Sequence, residues 1–380
     1  MHRFEKVVRT AVFDGLNLEQ IAELALQLAA SGSQLNLGDA TTADIASTGG
    51  PTSLSTLLCP PMLVATGWLV PKLGVPGRPA GGIDVLGTIP GYRTALDAAA
   101  AGRLLANCNY VHVDAGGTFA PADAALFRYR QQVGAQAVPD LAIASLLSKK
   151  VAMGVKRVGL EVRVASHGNF GSDFSEARQA SRKFCEVARI LRMEPVCLLT
   201  DASRPFQPFV GRGEALLALK LVLDGDENAW LAEHVEACAS MVSAVGGPAE
   251  FDRRGMSKAA IRNIEAQGGT EHAFRKYADE IAVCHNRPLV ADTTGHVRYD
   301  LDKIRTAVMQ AQGTSPGYPD DAGLFLRARP GDRVEPGEEL LSIRCPEATR
   351  RTFEAALRSA ITIDATPTGS PPVAMECVNV

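Results

Sequence analysis

Apolar and polar positions along this chain follow two rhythms. Leu18, Ile21, Leu24, Ala25 and Leu28 recur at helical spacing within residues 16–30, and Gly32 follows as a stop, so one amphipathic helix is predicted there. The same spacing predicts helices over 95–106, 121–132, 139–153 and 175–192, and residues 213–267 read as mostly helical. Between them, short runs of β-branched and apolar residues predict strands over 69–73, 110–113, 157–164 and 195–200. Strands alternating with helices of this length predict an α/β fold, a mainly parallel sheet covered on both faces, whose ligands bind beyond the C-terminal strand ends. The loops after Leu73, Val113, Val164 and Leu199 are therefore expected to converge. From residue 288 the pattern turns β-like, over 289–297 and 322–344, with turn signals at Arg329-Pro330-Gly331-Asp332 and Glu335-Pro336-Gly337. A small α+β C-terminal domain is expected, and residues 365–372, rich in Thr, Pro, Ser and Gly, are expected to form a mobile tail.

Residues 44–62 interrupt these rhythms. A short apolar start runs into Ser47-Thr48-Gly49-Gly50, and Pro51 stands where the first position of a helix is expected. Backbone N–H groups at such a terminus, with the Ser47, Thr52 and Ser53 hydroxyls, suit phosphate or another anion. A second glycine-rich passage, residues 74–84, carries Arg78, a loop cation able to approach the same anion. Two glycines before a helix are also ordinary turn punctuation, and an arginine on a loop is more often solvated than ligating.

Composition narrows the partner. With 380 residues, 46% of them hydrophobic, the chain can bury the cores of two or three domains. A net charge of −3 without runs of like charge leaves no footprint for nucleic acid or an anionic membrane, so a small-molecule partner is expected. The charged start, Met1 to Lys6, lacks the apolar core of a signal peptide, and no apolar run approaches a membrane span, which points to a cytoplasmic location. The eight cysteines are scattered without a C-x-x-C pair, and Cys284-His285 is half a metal site with no second half, so neither metal nor cofactor is expected.

Ser47-Thr48-Gly49-Gly50, followed by Gly81-Gly82-Ile83-Asp84 and Thr88-Ile89-Pro90-Gly91-Tyr92, resembles the thymidine and pyrimidine-nucleoside phosphorylase family. Ala120-Pro121-Ala122-Asp123, Arg130, Ala144-Ser145-Leu146-Leu147-Ser148-Lys149-Lys150, Leu160-Glu161-Val162-Arg163-Val164 and Leu198-Leu199-Thr200-Asp201 extend the likeness, which reaches Pro330-Gly331-Asp332. The resemblance implies a helical domain, residues 1–37 and 120–153, and a larger α/β phosphate-side domain, residues 38–119 and 154–287, across a cleft, with 288–380 as the C-terminal domain. It implies a pentosyltransferase in which inorganic phosphate, as co-substrate, cleaves a nucleoside to base and pentose 1-phosphate. Arg130, Ser145 and Lys149 stand at the base-reading positions, where cations and a hydroxyl suit pyrimidine carbonyl oxygens and the charge of a leaving base. Ser47, Gly49, Gly50, Thr52, Ser53 and Arg78 fall on the phosphate side.

The chain departs from that pattern on the phosphate side. Ile45-Ala46 stands where the resemblance implies Lys-His, the glycine loop is shorter, and Pro76 replaces a serine. An altered substrate or reduced activity is expected, with Arg78 supplying the missing charge and Ile45→Lys strengthening anion binding. His112 and His167, near two strand ends, are candidate acids, although a histidine there is more often structural. Asp201 is expected to orient its neighbours, and Glu214 lies beside the acidic position that helps hold a structural cation in some relatives. Two other readings stay open: a catalytically silent nucleoside- or base-binding protein, and an anthranilate-type phosphoribosyltransferase. The helices that precede Leu16 in the family are largely absent, so a homodimer is expected to be either weakened or rebuilt from residues 16–30 and 121–153.

Overall fold

The computed structural model describes residues 3–166, 168–247, 250–285, 287–313, 317–367 and 375–378. The chain forms α1 (Glu5–Phe13), α2 (Leu18–Ala29), β1 (Ala43–Ser47), α3 (Ser55–Ala65), β2 (Val70–Gly74), α4 (Gly82–Leu86), α5 (Ala98–Cys108) and β3 (Tyr110–Asp114). Next come α6 (Pro121–Gln132), α7 (Pro139–Ala152), β4 (Arg157–Val164), α8 (Phe174–Ile190), β5 (Glu194–Asp201), β6 (Phe209–Val210), α9 (Arg212–Asp224), α10 (Ala229–Gly246), α11 (Arg253–Ala266) and α12 (Glu271–Val283). The remainder is β7 (Arg287–Val290), β8 (Gly295–Tyr299), α13 (Leu301–Ala311), β9 (Gly323–Leu326), β10 (Arg333–Val334), β11 (Glu339–Arg344), α14 (Arg350–Ser359), β12 (Ile361–Asp364) and β13 (Glu376–Val378). No described helix is long and apolar enough to cross a membrane. Most of the expected tail, residues 368–372, lies outside the described residues.

β1, β4 and β5 pair in parallel, with β13 antiparallel on β5, and β2 pairs in parallel with β3. A parallel bridge between Thr42 and Leu69 ties β2 to β1, so the strand order across the layer is 3-2-1-4-5. This is the doubly wound arrangement, and the winding reverses between β1 and β4, where such sheets leave a crevice at their carboxyl ends. Alternation along β4 sends Val158, Leu160, Val162 and Val164 into an apolar cluster with α1, α2, α6, α7 and α8. On the opposite face Ala43 and Ile45 of β1 pack with α3, α9, α10, α11 and α12. A third cluster joins the C-terminal strands with α13 and α14.

Local chemistry sets the boundaries. Asn17 and Gln20 cap the start of α2 reciprocally, and Pro121 and Pro139 open α6 and α7. Pro51 does not open α3, which starts at Ser55. Gly49 and Gly50, at φ 100° and 137°, turn the chain away first, and Thr52 is then tied to Phe206 and Gln207. The structure also adds, among others, α1, α4, α12, α13, α14 and β13 to the elements the pattern predicts.

β3 is an edge strand, and a side chain covers its open side. The buried Gln267 amide accepts from the His112 N–H (2.8 Å) and donates to the His112 carbonyl (2.9 Å) and the Arg93 carbonyl (2.7 Å), substituting for a neighbouring strand. Gln267→Ala should strand several buried backbone groups, each costing about 1–3 kcal/mol, and lower the urea midpoint accordingly. An unchanged midpoint would show that the edge is held by other contacts.

Candidate active site

At the carboxyl ends of β1, β2 and β4 the structure encloses a cavity of about 420 Å³. Ser47, Gly49, Gly50 and Ser53 line it from the first glycine loop, Arg78 from the second, His112 from β3, Arg163 from β4, and Arg130, Ser145 and Lys149 from α6 and α7. The two glycine loops, the helical side and the switch point thus meet in one place. A Cβ on Gly50 would lie 2.9 Å from the Arg163 guanidinium and would displace it, and the φ of 137° favours glycine there in any case. Expected loops after β3 and β5 do not reach the cavity. His112 represents β3 from within the strand, and the Asp201 carboxylate accepts the Ser203 N–H (3.0 Å) and hydroxyl (2.6 Å) in a local turn.

The start of α3 differs from an open anion cradle. Alternation puts Glu161 and Arg163 on the α3 side of β4, and Glu161 Oε2 there accepts from the Ser53 hydroxyl (3.0 Å), the Ser55 hydroxyl (2.5 Å) and Arg163 Nε (3.1 Å). Burial pushes the Glu161 pKa up, but Arg163 and Ser55 hold it below the usual range. The Leu54 N–H donates to His234 Nε2 (2.8 Å) and the Ser55 N–H to Ser53 Oγ (3.1 Å), so these two donors at the start of α3 are satisfied internally. Burial lowers His234 to about 4, which keeps it a neutral acceptor. Thr52 is drawn out of the cavity: it is 2% exposed, and its hydroxyl accepts the Phe206 N–H at 3.2 Å.

Beyond the bridge at Thr42 and Leu69, β1 and β2 no longer pair, and Lys72 enters the split. Its ammonium donates to the Ile45 carbonyl and to Asp44 Oδ1, both at 2.6 Å, while Lys150 of α7 donates to Asp44 Oδ2. Burial raises the Asp44 pKa, and the two lysines more than reverse this, to about 2. Burial, partly offset by Asp44, lowers Lys150 to about 8. Lys72 stands opposite His112 in the β2–β3 register. Burial and then Lys72 hold His112 far below the usual histidine range, so its ring is neutral at pH 7, with Nδ1 3.0 Å from the Tyr110 hydroxyl. His112 is thus a neutral hydrogen-bonding group in the cavity wall. His167 lies outside the described residues.

Arg78 stacks over Phe127 at 5.0 Å and borders Gly49. Burial lowers its pKa to about 10, and Arg305 of α13, which lines the same cavity, is the largest charged cause after burial. On the helical side, Arg130 donates to the carbonyls of Ala135 (3.2 Å), Gln136 (2.6 Å) and Leu141 (3.3 Å), and burial brings it to about 10. Lys149 pairs with Asp123 (2.6 Å) and donates to the Ser145 carbonyl and to Ser145 Oγ (3.1 Å); burial lowers its pKa, with Asp123 opposing. Ser145 Oγ therefore accepts from the ammonium while its own hydrogen stays available toward the cavity.

Four cavity cations receive no site role from the sequence: Lys150 and Arg163, which fall within the motifs that carry the resemblance, and Lys72 and Arg305, which do not. Lys72 carries a usable signal, a lysine inside an otherwise apolar parallel strand, where a buried charge demands a partner. Arg305 carries none, since only the fold brings α13 to the cavity. Outside its lining, Glu214 accepts from Arg344 Nε at 2.7 Å and lies 3.0 Å from His285 Nε2, while Cys284 is exposed.

Fold and cavity define a doubly wound α/β protein with a cation-rich cavity at its switch point. No family model matches the chain. It is 28% identical over 360 residues to an AMP phosphorylase of Methanococcus vannielii, covering 88% of this chain and 68% of the relative. It is 25% identical over 383 residues to a pyrimidine-nucleoside phosphorylase of Geobacillus stearothermophilus, covering 94% and 88%. A pyrimidine-nucleoside phosphorylase of Staphylococcus aureus is 26% identical over 376 residues, covering 92% and 86%. Among solved structures, anthranilate phosphoribosyltransferase of Thermus thermophilus matches with a TM-score of 0.49 and 16% identity over 73% of this chain and 94% of that one.

One expectation is overturned. Ile45 is fully buried in the apolar cluster on the α3 face, whereas Ala46 faces the cavity. A lysine at position 45 would enter the core rather than the anion site. Ile45→Lys should therefore destabilise the fold by several kcal/mol, the cost of an unpaired buried charge, and not strengthen anion binding. Denaturation alongside phosphate titration checks this, and a stable variant with tighter binding would restore the original expectation.

Proposed function

We propose that this protein is a pentosyltransferase that uses inorganic phosphate to cleave the N-glycosidic bond of a nucleoside. The observation that carries the reading is the single cavity in which both glycine loops and Arg78 face Arg130, Ser145 and Lys149. The names of the relatives, AMP phosphorylase and pyrimidine-nucleoside phosphorylase, support the same class of chemistry. Phosphate sits on the sheet side, between the Ser47–Gly50 loop, Arg78 and the Lys72–Lys150 pair. The two lysines, held by one carboxylate, supply the charge that Ile45-Ala46 does not. The base lies against α6 and α7, where Ser145 donates its hydroxyl hydrogen and Lys149, behind it, strengthens that donor.

In the reaction a phosphate oxygen forms a bond to C1′ while the C1′–N bond breaks and its electron pair leaves with the base. Arg130 and Lys149 act as a fixed positive field toward that charge, needing no rearrangement as it develops. The test is phosphate-dependent release of free base with the pentose 1-phosphate identified. Binding without turnover would favour a silent binding protein. Lys149→Ala should lower kcat/KM by roughly 10²–10³-fold, the scale of one such donor, and unchanged turnover would remove the helical side from the mechanism.

Anion binding should also depend on Lys150. Its pKa near 8 means that the folded protein loses this proton as pH rises through 8, whereas a bound anion favours the charged form. Sulfate, a dianion throughout this range, should bind with proton uptake above pH 8 and weaken steadily toward pH 10. Calorimetry in buffers of different ionisation enthalpy reads both effects, and Lys150→Met should flatten them. A flat profile in the unaltered protein would place the anion elsewhere.

A further inference from the structure

The hydroxyls that the sequence favours for an anion are already engaged elsewhere. Thr52 does not line the cavity, and the Ser53 hydroxyl gives its hydrogen to Glu161 (3.0 Å) while its oxygen accepts the Ser55 N–H (3.1 Å). Neither offers a hydrogen to a ligand. Ser47, Thr48 and Thr56 do line the cavity, and their oxygens accept the backbone N–H groups of Gly49 (3.2 Å), Arg163 (3.0 Å) and Gly82 (3.2 Å) respectively. Among the described residues, none of these three hydroxyls gives its own hydrogen to the protein. An accepted N–H fixes the oxygen and leaves the O–H free to turn toward the cavity.

Thr56 is placed there by both glycine loops. It stands in the first turn of α3, and of residues 51–60 it alone is not buried. The carbonyl four residues back, where a helical threonine can bond, belongs to Thr52 and accepts from Gln207 at 2.8 Å. A Cβ on Gly82 would lie 2.5 Å from the Thr56 carbonyl, so glycine lets the second loop close onto the first at this point. That loop is anchored independently: Asp84 accepts the Gly77 N–H (2.7 Å), Arg212 donates to the Arg78 carbonyl (3.2 Å), and Gln312 of α13 donates to the Pro79 carbonyl (3.0 Å). Thr48 is held from another direction, its N–H donating to the Glu161 carbonyl at 3.0 Å. Lys72, Lys150 and Arg78 line the same space and supply charge, to which the hydroxyls add direction.

We propose that the sheet-side phosphate is bound by the hydroxyls of Thr48 and Thr56 together with Ser47, and not by Thr52 or Ser53. This rests on the reading that an inorganic anion occupies the sheet side of the cavity. Calorimetric titration of sulfate at pH 7 reads the contacts without turnover. Thr48→Val and Thr56→Val should each weaken sulfate binding by roughly tenfold to a hundredfold, the scale of one hydrogen bond to a charged group. Thr48→Ser and Thr56→Ser keep the hydroxyl and should restore most of the affinity. Urea midpoints of the ligand-free variants establish that each is folded, and Thr56→Ala serves the same comparison if valine is not tolerated. In turnover the valine variants should raise KM for phosphate and leave KM for the nucleoside unchanged, which a general loosening of the loops would not do. Unaltered sulfate affinity in either valine variant overturns the proposal, as does a serine variant that binds as weakly as its valine counterpart. If no nucleoside releases base, phosphorolysis fails, yet the sulfate titrations still decide which hydroxyls hold the anion. Absence of sulfate binding in the unaltered protein also overturns the proposal.

Discussion

The carboxylate of Asp44 lies in a buried seam between β1 and α7, with the ammonium groups of Lys72 and Lys150 on either side. Three formal charges are buried there, and each ion alone would cost several kcal/mol of lost hydration. What makes the cluster tolerable is that β1 and β2 stop pairing after Thr42, which frees the Ile45 carbonyl as a further acceptor for Lys72. Removing one partner from such a cluster typically costs about 3–5 kcal/mol, so the split sheet and the α7 register depend on each other. The arrangement leaves one positive charge in excess beside the cavity.

A second buried carboxylate organises the neighbouring wall. Glu161 occupies the start of α3, where the helix dipole and free donors would otherwise draw a ligand anion, and it gathers Ser53, Ser55 and Arg163. The protein has satisfied this helix terminus with its own side chain. The cations that line the cavity are therefore side chains, those of β2, α7, α13 and the Arg78 loop among them, rather than the terminus of α3.

Much of this was legible in the sequence, and the reasons differ by element. β4 and α6 fall on residues 157–164 and 121–132 as expected, because a short run with β-branched and apolar residues at every second position and a proline at the first helical position are local signals. Residues from both glycine loops, with Arg130, Ser145 and Lys149, meet in one cavity, as the likeness to phosphorylases implies for their positions. Pro51 misled because the conformation of the loop is decided by Phe206 and Gln207, more than 150 residues away. Strand parity implies that Ile45 and Ala46 point in opposite directions, but which one faces the ligand depends on which face α7 covers. Arg305 was invisible for the same kind of reason, since nothing near it in the chain marks a ligand.

The C-terminal unit belongs to the site through a lock at its base. Arg344 of β11 donates to Glu214 at the start of α9 (2.7 and 3.0 Å) and to Asp320 (2.8 Å), and Tyr277 donates to the same Asp320 carboxylate (2.6 Å). Burial pushes Glu214 up, yet Arg344 and His285 hold it below the usual range, so the carboxylate is charged and firmly paired. Arg212, next to Gly213 and Glu214 in the first turn of α9, reaches both the Pro319 carbonyl and the Arg78 carbonyl. The chain from β11 through α9 to the Arg78 loop is therefore continuous in charged hydrogen bonds. Breaking it at Glu214 would loosen α13 and the loop together, even though no atom of Glu214 lines the cavity, because the spacing of Arg78 and Arg305 is set by elements that this carboxylate joins.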